Sequence, residues 1–320
     1  KPSMKKIACI GMTAIDVITT PVTSLPPLNT VYHVDKIRMF VGGCAANAAL
    51  DLAKLGLPAR LACRLGDDIF GQFVMGELTR HGVDTSSVTL DANVDSAVTI
   101  VCLDPVEKER RCLTTSESND HFDQGDITEE LLQESDIIFM AGMCQLKKFD
   151  GAQCGQFVKR AHELGKFMAM DVMWDFEGIW MPKIADALPY LDLFMPSYDE
   201  VVELIGEKDP EAMVEVLHRL GPKNVVVKLG SQGAIVKEGD GVPYRVPIFP
   251  CDPEEIVDVI GAGDSSCAGT LAGLAKGMPL KDAVAFGQAV ASYCIRAQGT
   301  YNGIRPMEEI LAAMEKASIK

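Results

Sequence analysis

The sequence predicts an α/β protein: a doubly wound, mostly parallel sheet flanked by helices, with a small β-sheet lid. Two observations carry this. Short apolar strands at 137–140, 167–171, 193–195 and 225–229 alternate with helices near 150–164, 198–205 and 211–220. Such alternation is the pattern of a parallel sheet covered by helices on both faces. In contrast, 31–40, 96–103 and 110–115 read as strands with no helices between them, which implies a separate small sheet. The 320 residues, 48% hydrophobic and 23% charged, suffice for one large core. One domain over 4–320 is expected, with lid strands inserted at about 17–41 and 93–117.

In chain order, 5–11 is a short apolar strand ending in Gly11-Met12. Asp16 then interrupts the apolar run Ala14-Ile15-Asp16-Val17-Ile18. A buried acid is costly without partners, so Asp16 either caps a turn or faces a ligand at a strand end. Pro21, Pro26 and Pro27 mark an irregular link, and the alternation from Val31 to Met39 marks a strand with one wet face. Gly42-Gly43 opens an alanine-rich helix that Gly56 closes. Its small residues permit close approach of a backbone or a ligand, and Asn47 lies in about its first turn. A strand at 60–65 and a helix to about His81, stopped by Gly82, follow. The strands 96–103 and 110–115 make a hairpin across Asp104-Pro105-Val106-Glu107-Lys108-Glu109. The last third is helical at 266–276, 281–297 and 306–317.

Composition excludes several classes. A net charge of -15 and a pI of about 4.8 repel nucleic acids and anionic membranes, so neither is an expected partner. The ten cysteines form no C-x-x-C pair, which argues against a zinc ribbon or a redox couple. They read as reduced core thiols of a cytoplasmic protein. The five histidines show no metal spacing, and no apolar run is long enough to span a bilayer. Lys1-Pro2-Ser3 before Met4 is expected to be a cloning remnant, not a signal peptide.

The chemistry concentrates at Ile256-Val257-Asp258-Val259-Ile260-Gly261-Ala262-Gly263-Asp264-Ser265-Ser266-Cys267. It reads as the end of a buried strand, a glycine turn and the start of a helix. Small residues let backbone N–H groups approach a ligand, and a helix N-terminus favours an anion. Asp264 sits in that turn either as an N-cap or as the acid of a site that holds phosphate and also removes a proton. In an open parallel sheet ligands gather at the carboxyl ends of the strands. Asp16, Asp171, the stretch Lys228-Leu229-Gly230-Ser231-Gln232-Gly233 and the Gly261 turn all fall there. No G-x-x-x-x-G-K-[ST] occurs and the first strand lacks G-x-G-x-x-G, so neither a P-loop enzyme nor a Rossmann dehydrogenase is supported.

Two stretches carry a resemblance. Gly42-Gly43 with Asn47, Gly56 and Gly66, and Asp258-Val259-Ile260-Gly261-Ala262-Gly263-Asp264, resemble the two signatures of the ribokinase-like (PfkB-type) carbohydrate kinases. The resemblance spans essentially the whole chain. It implies ATP-dependent transfer of the γ-phosphoryl group to a hydroxymethyl of a sugar, nucleoside or similar polyol. By matching position, Asp264 would be the base, and Gly261, Ala262 and Gly263 the anion hole. Asp16, Gly42, Gly43 and Asn47 would hold the substrate. Lys228, Gly230, Gly233 and Ser197 would serve ATP, and Glu200 would act on Mg²⁺ through water. Asp258 with the carbonyls near Gly299 would match a monovalent-cation site, for K⁺. The chain departs from the pattern at Val259 (usually Thr), Ser197 (usually Asn) and Lys228 (commonly Thr). Only Asp171 remains of an Asp-x-Asn-x-Arg motif.

The resemblance thus implies a carbohydrate kinase of a sugar or sugar acid. A nucleoside kinase and a catalytically idle metabolite binder are the alternatives. Arg38, Arg110 and Arg111 discriminate: pointing into the cleft they favour an acidic substrate, and otherwise they are a solvated lid face. A nucleoside would need stacking from residues such as Tyr32, Phe40 or Phe122. A homodimer through the lid sheet is expected, since the lid has an apolar face with little core of its own.

Overall fold

Strand β1 (Ile7–Gly11) is buried at every position, as a central parallel strand must be. In the structure, a computed structural model describing residues 4–104, 106 and 109–318, it is followed by β2 (Ala14–Thr20), β3 (Lys36–Gly42), α1 (Cys44–Lys54), β4 (Ala59–Gly66) and α2 (Ile69–Arg80). Next come β5 (Asp84–Asp91), β6 (Val98–Asp104), β7 (Glu109–Thr114), α3 (Glu117–His121), α4 (Glu129–Glu134), β8 (Ile137–Met143) and α5 (Ala152–Glu163). The remainder is β9 (Phe167–Val172), β10 (Leu193–Phe194), α6 (Tyr198–Ile205), α7 (Pro210–Arg219), β11 (Asn224–Lys228), β12 (Ala234–Glu238), β13 (Tyr244–Val246), α8 (Ala262–Ala275), α9 (Leu280–Cys294) and α10 (Met307–Ser318).

The large sheet has the order β13-β12-β11-β10-β9-β8-β1-β4-β5. From β11 to β5 the strands run parallel, and β12 and β13 turn back antiparallel. Ile7 and Cys9 join the core on one face, with residues of α1, α8 and α9; Ala8 and Ile10 join the core on the other, with residues of α5 and α7. That alternation is the period of a strand covered on both sides. The chain leaves β1 first toward β4 and β5 and later toward β8 to β11, so the strand order reverses beside β1. A ligand crevice opens at such a reversal, past the carboxyl ends of the strands.

The second sheet has the order β3-β2-β6-β7. Its register aligns Phe40, Asp16, Thr99 and Thr114 in one row, and Met39, Val17, Ile100 and Leu113 in the adjacent row. Adjacent rows face opposite ways, so Asp16 and Thr114 share one face. The other face leaves Met39, Ile100 and Leu113 exposed.

Three expectations are corrected. Residues 256–260 are not the end of a buried strand. Val257 and Val259 are 61% and 62% exposed, and the N–H groups of Val257 and Asp258 donate to the Ile295 carbonyl at 2.8 and 3.2 Å. β-Branched residues favour extended backbone, but here no strand lies alongside to pair with it. The strand expected at 31–40 begins only at Lys36. Its partner β2 ends at Thr20, which pairs with Lys36, because Pro21 has no N–H to continue the ladder. The helix expected from Ser266 begins four residues earlier, at Ala262. Lys1-Pro2-Ser3, residues 319–320, and positions 105, 107 and 108 of the expected hairpin turn lie outside the described residues. Among the described residues no helix is long and apolar enough to cross a membrane.

Candidate active site

The first turn of α8 is shaped by Gly261, its N-cap, at φ +83°. A Cβ there would come within 2.7 Å of the Thr300 Cβ, so both the backbone and the close approach call for glycine. With no side chain to cap it, the turn leaves the N–H groups of Gly261 and Gly263 open to a ligand, while the Ala262 N–H donates to the Val259 carbonyl at 3.3 Å. Asp264 is the third residue of the helix and does not cap it. Its Oδ2 accepts instead from Asn47 Nδ2 at 2.8 Å, and the Cys44 thiol also hydrogen-bonds to it. Cys44 and Asn47 are three apart on α1, hence on one face. Thr300 Oγ1 donates to Asn47 Oδ1 at 2.6 Å, which turns the amide nitrogen toward Asp264. One residue on, Ser265 Oγ and Asp51 Oδ2 are 2.5 Å apart, fastening α8 to α1 a second time. Burial pushes the Asp264 carboxyl above the ordinary aspartate range; the Asn47 bond, the Lys228 ammonium and the Cys44 thiol oppose that shift.

On the lid side, Asp16 faces Gly42, where a Cβ would meet Oδ2 at 2.5 Å. Gly43, at φ +86°, is the N-cap of α1. Burial, then the charges of Asp264 and Asp258, push Asp16 up to about 6, against a pull from Arg110. A cavity of about 440 Å³ opens beneath the lid, lined by Met12, Thr99, Arg110, Asn119, Gln145 and Lys183 among others. Of the three lid arginines, Arg110 lines this cavity. Arg38 donates to Gln298 Oε1 at 3.2 Å and Arg111 to the Thr23 carbonyl at 3.3 Å. Asp16, Gly42, Gly43 and Asn47 do not line this cavity; Asn47 reaches Asp264 of α8 instead.

On the opposite side, a cavity of about 310 Å³ is lined by Gly230, Gly233, Ile248, Val259, Gly263 and Ile295, among others. Gly230 and Gly233 have φ +58° and +82°. Lys228 also lines this cavity, and its ammonium donates to Asp171 Oδ2 at 2.6 Å. Ser197 pairs with Lys228 as an isolated bridge, and its N–H donates to Glu200 Oε2 at 2.8 Å. Burial, then the neighbouring Asp171, push Glu200 up to about 7, opposed by Lys228. Asp258 Oδ1 accepts from the Ile260 N–H at 3.0 Å, while its Oδ2 is buried without a partner among the described residues. Gly299 has φ +87°. Among the described residues no group of three or more His, Cys, Asp or Glu is placed to hold a metal ion.

Residues 4–306 match the family model described as pfkB family carbohydrate kinase. The chain belongs to the pfkB family. Over 300 residues it is 25% identical to 2-dehydro-3-deoxygluconokinase of Bacillus subtilis, covering 90% of each chain. It is 26% identical to a nucleoside kinase of Methanothermobacter thermautotrophicus, covering 94% of this chain and 92% of that one. The fold superposes on Arabidopsis thaliana ribokinase, solved with ribose and ATP, with a TM-score of 0.82 at 22% identity, over 98% and 99% of the two chains. As a pfkB-family carbohydrate kinase the protein is a phosphotransferase. Within this kinase the fold brings Asp264, Asn47 and the Gly261 turn into one locus, with Asp16 on the lid side and Lys228 on the other. Sequence reading did not single out the site roles of Cys44, Thr300, Asn119 and Lys183. Only the Cys44–Asn47 spacing on one helix held a readable signal.

Proposed function

We propose that the protein transfers the γ-phosphoryl group of ATP to a hydroxymethyl of a sugar or sugar acid. The single observation that carries this is Asp264, whose carboxylate is fastened to α1 by Asn47 within the open glycine turn that begins α8. The acceptor hydroxyl oxygen bonds to the γ-phosphorus as the bond to the ADP oxygen breaks, and the hydroxyl proton passes to Asp264. The N–H groups of Gly261, Ala262 and Gly263 hold the phosphoryl oxygens as charge moves across them. Positioning and electrostatics supply most of the rate in such transfers.

Asp16, Gly42, Gly43 and Asn47 take the acceptor hydroxyls, with Gly42 leaving space beside the Asp16 carboxylate. Lys228, Gly230, Gly233 and Ser197 form the nucleotide side. Glu200 is a hard oxygen donor beside that side, and it would hold a Mg²⁺ ion through water, with no cluster of three or more acidic, His or Cys ligands among the described residues. When bound there, Mg²⁺ would supply charge neutralisation to the phosphates. The unpartnered Asp258 Oδ2, with carbonyls near Gly299, suits a monovalent cation such as K⁺. The exposed Met39, Ile100 and Leu113 of one row support a homodimer through the lid, since contiguous apolar surface tends to be covered. Ten unpaired cysteines fit a reducing, cytoplasmic setting.

Arg110 on the acceptor cavity favours an acidic sugar, as do relatives named 2-dehydro-3-deoxygluconokinase and 5-dehydro-2-deoxygluconokinase. Phe122 is fully buried and offers no stacking surface to a nucleoside. The test is ADP release with a panel of sugars, sugar acids and nucleosides. Asp264→Asn should lose about 10²–10⁴-fold in turnover with its Tm unchanged. Full activity in that variant would remove the base assignment, and no ADP from any acceptor would leave a binding protein.

A further inference from the structure

Lys228 and Asp171 end strands that flank the two-residue β10, so their side chains meet across it. Asp171 is the fifth of the six residues of β9, and its Oδ1 accepts from the Val172 N–H at 2.8 Å. Its Oδ2 takes the Lys228 ammonium at 2.6 Å. The side chains are 12% and 3% exposed, so the pair is nearly dry. Cys267 Sγ, one turn into α8, stands 3.5 Å from both Lys228 Nζ and Asp171 Oδ2.

This places the ammonium against the N-terminal turn of α8. Lys228 Nζ lies 3.6 Å from where a Cβ on Gly263 would stand, and the same lysine lines the cavity shared with Gly230, Gly233 and Gly263. A helix N-terminus is already positive, and a buried cation beside it is unfavourable unless anions balance both. Asp171 pairs with the ammonium directly, and Asp264 in the first turn of α8 and Glu200 add their charges at longer range. Of the three ammonium N–H groups, one is directed at Asp171 and one at Cys267, and among the described residues the third has no protein acceptor. Burial alone would strip the proton from Lys228. Asp171 chiefly, with Cys267 and Glu200, outweighs that and holds the ammonium well above the usual lysine range.

We infer that the Lys228 ammonium, clamped by Asp171, grips the terminal phosphoryl group of ATP from beneath the Gly261–Gly263 turn. Asp171 is then the positioning residue of that grip. The inference rests on the phosphoryl-transfer reading of the site. It adds a cation supplied by the protein itself to the N–H cradle, bonded to oxygens that ADP does not possess.

That difference is the test. ATP and ADP are titrated calorimetrically into the intact protein, without an acceptor. Lys228→Met should weaken ATP about 10–100-fold, the loss of one charge-assisted hydrogen bond, and leave ADP unchanged. Turnover should fall about 10²–10³-fold, as for removal of one transition-state donor, with the acceptor KM unaltered. Asp171→Asn should give a smaller loss of the same kind, since the charge remains but its position is released. The double variant Lys228→Met with Asp171→Asn leaves no carboxylate unpaired and should fold with a near-normal Tm while keeping the ATP-specific defect. Equal weakening of ATP and ADP in Lys228→Met, or wild-type turnover in the double variant, would overturn the assignment. Because the binding ratio needs no acceptor, it decides the role of Lys228 separately from whether any acceptor is phosphorylated.

Discussion

Asn47 donates from Nδ2 to Asp264 Oδ2 across 2.8 Å, and the amide is oriented by the Thr300 hydroxyl on its oxygen. A hydrogen bond donated to a carboxylate stabilises the charged form, so Asn47 holds down a pKa that burial raises. As the proposed base, Asp264 would work only when ionised: activity should be present above its pKa and lost as pH falls through it. Asn47→Ala removes the donor and lets the pKa rise further. The acid limb of the turnover profile should move upward by about one pH unit, the equivalent of one hydrogen bond to a charged group. A profile that drops uniformly without moving would show that Asn47 does not tune the base.

The same threonine makes Gly261 a second test. A methyl at Gly261 would collide with the Thr300 Cβ at 2.7 Å in a backbone of φ +83°. Gly261→Ala should therefore disturb the anion cradle and the Thr300–Asn47–Asp264 chain together. Turnover is expected to fall at least about 10²-fold. Gly277 is the control: its φ is +84°, but a Cβ there meets nothing within 4 Å. Gly277→Ala should cost about 1 kcal/mol in stability from backbone strain alone, with activity intact. Equal activity losses in the two variants would refute the steric argument.

How far the sequence discloses this site depends on which interactions are local. Apolar runs such as β1 and β8 are readable because a strand buried on both faces has little but apolar residues. Strand β5 is an edge strand whose only apolar residues are Val88 and Leu90, and it shows no such run. The β12–β13 hairpin carried a usable turn signal in Gly239-Asp240-Gly241. The start of α8 is hidden for another reason. Asp264 is a cap candidate by residue type, but the helix is begun by the left-handed backbone of Gly261, which Thr300 crowds. Glycines and acids of the site could be picked out because their chemistry is unusual wherever they stand. Their partners could not, since Asp171 with Lys228 and Asn47 with Thr300 meet only through the fold.

Arg110 governs a third outcome. It lies on the face of β7 that lines the cavity beneath the lid, with Cys112 and Thr114, whereas Arg111 faces away. Its charge also opposes the rise of the Asp16 pKa, so it stands within reach of the inner acids. Arg110→Met should raise KM for acidic acceptors about 10–100-fold, the loss of a charge-assisted bond, and leave neutral sugars nearly unchanged. Steady-state kinetics with matched acid and neutral acceptors read this directly. An equal effect on both would place Arg110 in lid structure instead of substrate selection.

The outer wall of the cavity beneath the lid gives the last prediction. Lys183 Nζ donates to Asp175 Oδ1 and Glu177 Oε2, each at 2.7 Å, and to the Cys144 carbonyl at 3.2 Å. It thereby staples the loop after β9 to the loop after β8. Asp175 has a fully buried side chain and also accepts from the N–H groups of Glu177, Ile179 and Trp180. In Lys183→Met those three donors remain, but the buried carboxylate loses its counter-ion. The cost should be about 3 kcal/mol, and Tm should fall by roughly 5 °C. Trp174 and Trp180, the only tryptophans of the chain, meet edge to face 5.0 Å apart in this loop. Their emission should change below the global transition, since the loop loosens before the sheet beneath it. The acceptor KM should rise while the ATP KM stays put, because the staple touches only the lid-side cavity. Unchanged melting and emission would mean that the loop holds its shape without the lysine.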